Sequence, residues 1–395
     1  MGPGEGNRRT GSRSTGAVRV LVAAAAAAFL QAAGATASSE GPLAIRAGRI
    51  ETVAGEPIEN GVILIANGRI EAIGTDVKVP EGAEVIDARD GVVCPGFVNP
   101  ATALGLAARS SGGAAANAHY RTADELYPFQ DAYKHAARAG FTTLALWRSV
   151  YGIAGQAAVA RPVADSAEEM LVSDRGPVVV GFRADTETRS LIKKQLDAAA
   201  NKQTASRGDK TASLVWATQG EVPLIVQCAS SGDIVHALKL LEAYKKTKLV
   251  LSGSSRAVYR VIDQLGKKKA NIIIPAAIAF EPNTRNRVNI PMLLAKAGAK
   301  IACVPASDSV AGYEGLRQSM AELVRGGLTR ESALRAVTMN PAEMLGLDYR
   351  LGSLDKGKDA NLIILSGDVL DARSRVLRVL IEGETAYDAE WGGLR

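Results

Sequence analysis

From residue 43 onward, short apolar runs alternate with turn signals: LAIRAGRI, then VILIANGRIEAIG, then VIDARDGVV. Asn67-Gly68 stands between apolar residues 62–66 and 69–73, and both central positions of a type I′ turn need positive φ, so the pair predicts a hairpin. The same grammar returns at residues 360–365 and 376–381, the latter followed by Glu382-Gly383-Glu384. Neither piece is long enough to stand alone, so the pattern predicts one small β-domain assembled from both chain ends.

Between them the pattern changes to apolar strands separated by amphipathic stretches. The predicted strands are 92–98, 142–147, 159–163 (weakened by Pro162), 177–182, 224–228, 248–252, 271–275 and 300–305, with helices such as 234–244, 257–265 and 291–297. Eight strands alternating with helices over roughly 250 residues fit a (β/α)8 TIM barrel, with a doubly wound open sheet as the alternative. Asn340-Pro341-Ala342-Glu343 reads as a helix start, with Asn340 as cap and Pro341 at the first helical position. Residues 110–118 (SSGGAAANA) and 200–210 read as surface loops, the first following the first barrel strand on the side where active-site loops sit.

The chain has 395 residues, and 47% apolar with 22% charged residues is ordinary for a folded protein, which excludes a disordered or nucleic-acid-coating chain. Part of its +6 formal charge sits at the N-terminus, where Arg8, Arg9, Arg13 and Arg19 precede the apolar residues 20–30 and the small-residue run Ala35-Thr36-Ala37. These are the three parts of a secretory signal peptide, so residues 1–37 are expected to be removed by signal peptidase and the protein exported to the periplasm or secreted. An Ala-rich N-terminal helix is the alternative. The apolar stretch falls short of the about 20 residues needed to span a bilayer. Cys94, Cys228 and Cys303 lie far apart in apolar contexts and read as buried free thiols.

The segments Gly68-Arg69-Ile70 to Gly74, PEGAEVIDARDGVVCPGFVNPATALGL (80–106) and TMNPAEMLGLDYRLGSLDKGKDANLIILSGDVLDARSRVLRVLIEGETAYD (338–388) resemble the metal-dependent amidohydrolase superfamily, especially its imidazolone propionase and prolidase-like branch. The resemblance implies a distorted (β/α)8 TIM barrel over 94–349, carrying a small β-sandwich from 38–93 and 350–395. It also implies hydrolysis of carbon–nitrogen bonds with one or two divalent metals such as zinc.

The resemblance implies an Asp-x-His-x-His pattern at the end of the first strand, whose two imidazoles share one face because alternate strand residues project together into the barrel mouth. Here the stretch is Asn99-Pro100-Ala101-Thr102-Ala103, so Ala101 and Ala103 occupy the two imidazole positions. A methyl group has no lone pair. Gln227 falls at the strand-five ligand position and Gly253 at the strand-six position. Asp308 is the candidate for the family's catalytic Asp, with a helix cap as its alternative role. The chain's three histidines do not fill the gap: His135 and His236 read as helix-surface residues, and only His119 follows the first-strand loop.

Two functional classes follow. In the first, the protein is a catalytically degenerate amidohydrolase, a pseudoenzyme whose polar, metal-free mouth binds a small organic or peptide-like molecule through His119, Arg121, Gln227, Ser254 and Asp308, with Thr102, Ser252 and Ser307 nearby. In the second, it is an active hydrolase of C–N bonds with a relocated site, using Ser307 or Ser254 with His119, or a metal on Asp308, Asp124 and Glu125. Nucleic acid is not expected as a partner; a homo-oligomer, or an assembly with related amidohydrolases, is. Gly152-Ile153-Ala154-Gly155-Gln156 lacks the Lys-Ser/Thr of a P-loop and is read as a glycine-rich loop without a phosphate.

Overall fold

The computed structural model describes residues 1–2, 41–107 and 114–390, and the backbone of 393–394. It divides into Met1–Glu40 and Gly41–Arg395, and the fold below is that of the second unit. The N-terminal basic and apolar segment expected as an export signal lies outside the described residues, as do residues 108–113 of the first loop.

Both chain ends join one sheet. Leu43–Ile50, Ile58–Ala66 and Arg69–Gly74 lie on one side of the strand Glu84–Pro95, and Leu362–Leu365, Val376–Ile381, Glu384–Asp388 and Gly393–Leu394 lie on the other. Glu84–Pro95 makes this possible by its length of 12 residues: it pairs parallel with Leu43–Ile50 up to Val93 and antiparallel with Leu362–Leu365 from Val92. The strands therefore form one continuous eight-stranded sheet shared by both chain ends. The Asn67-Gly68 turn has φ of 51° and 74°, and Glu382-Gly383 has 50° and 81°, the two positive values that a type I′ turn requires. These two hairpin tips meet: Ala360 N donates to Gly68 O at 2.8 Å, and Gly383 N donates to Ala360 O at 3.1 Å. Ile45, Ile50, Ile63, Ile70, Leu362 and Leu380 fill a core shared by strands from both ends.

The predicted strand 92–98 is two strands. The chain passes from Glu84–Pro95 to Phe97–Thr102 at Gly96, whose amide donates to Asn361 O at 2.9 Å. A Cβ at Gly96 would lie 2.1 Å from Thr142 Oγ1, so the crossover requires glycine there.

The central α/β layer has two sheets. Phe97–Thr102 pairs parallel with Phe141–Leu146, and Val178–Phe182, Pro223–Cys228, Lys248–Gly253, Asn271–Pro275 and Lys300–Val304 form a parallel run. Every residue of Phe141–Leu146 is buried, as expected for a strand covered on both faces. Val98, Val179, Ile225, Val250, Ile273 and Ala302 converge in an interior apolar cluster, closed by Met344, Leu345 and Leu351.

The expected strand 159–163 departs from this order. Ala158–Ala160 runs antiparallel to Phe141–Leu146, and Gly152–Gln156 runs antiparallel to Val178–Phe182. Only residues 147–151 separate Phe141–Leu146 from Gly152–Gln156, and a parallel return needs a crossover of about a dozen residues. The segment therefore turns straight back and links the two sheets. The glycine-rich stretch is a strand, not a loop: Gly152 and Gly155 hold positive φ where the backbones of Ala115 and Tyr120 press against them.

Helix boundaries follow local capping. Ser230 and Asp233 form a reciprocal capping box at the start of Ser231–Leu241. The helix expected to start at Pro341 begins two residues earlier, as Met339–Leu345, so Asn340 is not its cap. Its side-chain amide instead donates to Ile301 O at 2.8 Å, tying the helix to Lys300–Val304. Glu343 faces Lys300 and Arg335 in ion pairs and serves structure.

Candidate functional site

The parallel strands end around a cleft of about 490 Å³, within the range of about 300–1,000 Å³ typical of small-molecule sites. One wall is Ala101, Thr102 and Ala103, at and just beyond the end of Phe97–Thr102. Another wall carries Gln227, Ser252, Gly253 and Ser254 from the ends of two neighbouring parallel strands. Trp147, Ser149 and Tyr151, from the short link that turns the chain back, form a third side.

A hydrogen-bonded chain crosses from the buried core to this cleft. Asn99, fully buried, donates from Nδ2 to the Tyr313 hydroxyl at 3.0 Å. Tyr313 donates to Thr102 Oγ1 at 2.8 Å, and Thr102 donates to Asp308 Oδ1 at 2.6 Å. The second Asp308 oxygen accepts from the backbone N–H of Ala103 at 2.8 Å. Thr102 Oγ1 also accepts from Leu104 N at 3.0 Å, which fixes the direction of its own proton toward Asp308. Burial pushes the Tyr313 phenol well above its ordinary range, so it remains a donor.

Asp308 therefore does not cap the following helix. Ser309 does, accepting from Gly312 N at 3.1 Å at the start of Val310–Glu314. Asp308 is exposed, and its carboxylate is aimed at the loop that carries Ala103.

Gln227 half-emerges from the wall, and its amide oxygen accepts from the Ser149 hydroxyl at 2.5 Å. By strand alternation Ser252 shares the inward face with Val250, whereas Gly253 pairs in register with Cys228. The inward position beside Gln227 is thus Ser252 rather than Gly253. Ser254 is an N-cap, accepting from Ala257 N at 3.3 Å. Burial pushes the Cys228 thiol up to about 12, so it is no nucleophile at neutral pH.

The structure brings Gln227, Ser254 and Asp308 into one cleft but not His119 or Arg121. His119 lies exposed in a turn, and Arg121 bridges Gln156, the end of the antiparallel strand away from Gly152, with an ion pair to Asp124 at 3.6 Å. Glu125 pairs with Arg148 at 2.5 Å. The relocated sites fare no better: Ser307 Oγ bonds to Ser309 Oγ at 2.8 Å, and neither Asp124 nor Glu125 lines the cleft with Asp308. Among the described residues, no three His, Cys, Asp or Glu side chains converge as a metal site. His135 and His236 sit on the helices Asp131–Arg138 and Ser231–Leu241.

Sequence reasoning missed Asn99, Tyr313, Trp147 and Ser149. No local signal marks Tyr313, which reaches Thr102 across 211 positions. Trp147 and Ser149 enter because the chain reverses after Phe141–Leu146, and the short spacing to Gly152 was the available sign.

The fold is that of an amidohydrolase-type α/β protein, with a sheet built from both termini. Residues 231–386 match the amidohydrolase family model. Among solved structures, an amidohydrolase from Thermotoga maritima MSB8 superposes with a TM-score of 0.75 at 22% identity, covering 88% of this chain and 100% of that one. A prolidase complexed with N-methylphosphonate-L-proline superposes with a TM-score of 0.57 at 14% identity, with coverage of 88% and 100%. N-acetylglucosamine-6-phosphate deacetylase from Rattus norvegicus is 43% identical over 68 residues, which span 17% of this chain and 15% of that protein.

Proposed function

We propose that this chain is a catalytically degenerate amidohydrolase that binds a small organic or peptide-like molecule in its strand-end cleft without a divalent metal. The observation that carries this reading is the chemistry of the cleft wall. Ala101 and Ala103 stand where the resemblance puts imidazoles, and Gln227 offers only an amide whose oxygen already accepts from Ser149. Asp308 is the one carboxylate at the cleft among the described residues, and both its oxygens accept hydrogen bonds. Catalytic zinc sites ordinarily draw three protein ligands, and these residues do not fit one. Such hydrolases also need an activated water and a Lewis acid, for which this donor set supplies no holder.

The same proposal places the protein outside the cytoplasm, on the strength of the basic and apolar N-terminal sequence. N-terminal sequencing of the exported fraction tests this.

The decisive experiment is elemental analysis of the purified protein after mild dialysis, with Zn²⁺ and Mn²⁺ added in parallel, alongside assays on N-acyl amino acids and prolyl dipeptides. The expected result is a folded protein with well under stoichiometric metal and no metal-stimulated hydrolysis. Near-stoichiometric metal, or turnover that metal restores, overturns the proposal.

A further inference from the structure

Among the described residues that line the cleft, the Asp308 charge has no counterpart. Asp308 is held on one side by a hydroxyl and a backbone N–H, and among the described residues it enters no ion pair. The other polar groups on the cleft walls, Ser149, Gln227, Ser252 and Ser254, are neutral. The remaining lining includes Trp147, Phe182 and Tyr151. Tyr151 already carries a cation, since the Arg183 guanidinium lies 3.7 Å from its ring centroid.

We propose that the cleft selects a ligand bearing a positively charged nitrogen, an ammonium or guanidinium on a neutral hydrogen-bonding body, with Asp308 as its counter-charge. The inference rests on the metal-free binding reading and names the ligand class for that site. A carboxylate fixed by Thr102 and Ala103 is oriented before the ligand arrives, and each of its oxygens keeps a lone pair for a charged donor. Gln227 and Ser252 supply neutral acceptors and donors for an amide or hydroxyl on the ligand body, and Ile273, Pro275 and Val304 supply apolar contact. An anionic ligand would meet Asp308, and among the described residues no cation lines the cleft itself to offset the repulsion.

The test titrates the whole protein, treated with EDTA, by calorimetry with three probes that share one backbone: N-acetyl-lysine methylamide, N-acetyl-norleucine methylamide and N-acetyl-glutamate methylamide. The lysine probe is expected to bind about tenfold or more tighter than the norleucine probe, the glutamate probe weakest, with Asp308→Asn erasing the preference. Absence of binding by the lysine probe, or a preference that survives Asp308→Asn, overturns the inference. Equal binding of the lysine and norleucine probes overturns the charge selection but leaves the metal-free cleft standing. Stoichiometric metal in the untreated protein removes the metal-free reading itself. The wild-type comparison among probes keeps the test decisive even if Asp308→Asn folds poorly.

Discussion

Thr102 and Asp308 lie 206 positions apart, yet the threonine hydroxyl donates to the aspartate at 2.6 Å, joining the first parallel strand to the loop after the last. Tyr313 holds that threonine from behind. Tyr313→Phe leaves the buried Asn99 amide without its acceptor and Thr102 without one of its donors. The expected loss is about 1–3 kcal/mol of unfolding free energy, measured by urea denaturation. A variant as stable as wild type would mean that the chain of bonds carries no net stabilisation.

If the proposed metal-free state rests on side chains alone, introducing imidazoles should confer metal uptake. The triple variant Ala101→His, Ala103→His, Gln227→His is expected to retain close to one Zn²⁺ through dialysis, by elemental analysis. A folded triple variant that stays metal-free would locate the obstacle in the backbone geometry of these strands.

Gly181 sets the position of the short link over the cleft. A Cβ there would lie 1.5 Å from Val150 O, and the neighbouring link residues are Ser149 and Tyr151. Gly181→Ala must displace that backbone, at an expected cost of about 1–3 kcal/mol, and break the contact between Ser149 and Gln227. Denaturation together with probe titration separates the two effects, and unchanged values in both would refute the account.

Cys303 is buried, and burial pushes its thiol from an ordinary value of 9.0 to about 12. Below pH 9 folded and unfolded chains both keep the proton, and the thiol's contribution is fully present. As pH rises toward 12 the unfolded chain releases a proton that the folded chain retains, so stability falls across that window. Cys303→Ala is expected to cost stability at pH 8 and to lose less than wild type between pH 9 and 11. Thermal melts at stepped pH give the comparison.

The hairpins were legible because their turns depend on two adjacent residues: Asn67-Gly68 leaves little choice of φ. The parallel strands were legible from apolar runs, and Asn271–Pro275 matches its predicted bounds. Strand direction was not, because an apolar run such as Ala158–Ala160 reads the same either way and only the length of the preceding link decides. In the cleft, the alanines at 101 and 103 were visible from motif spacing. The bonds to Asp308 were not, since sequence records no contact between residues two hundred apart. His119 and Arg121 were grouped with the mouth by nearness to its first loop, but the backbone there runs along Gly152–Gln156 and carries Arg121 to its far end.

The shared sheet also bears on how the chain is made. During vectorial synthesis Glu84–Pro95 emerges long before Leu362–Leu365, so one flank of that strand stays unpaired until almost the whole polypeptide is out. An open strand edge recruits other chains. Nascent chains halted before residue 362 would thus be the aggregation-prone species, and a chaperone covering that edge would have its greatest effect in the interval before the last strands arrive.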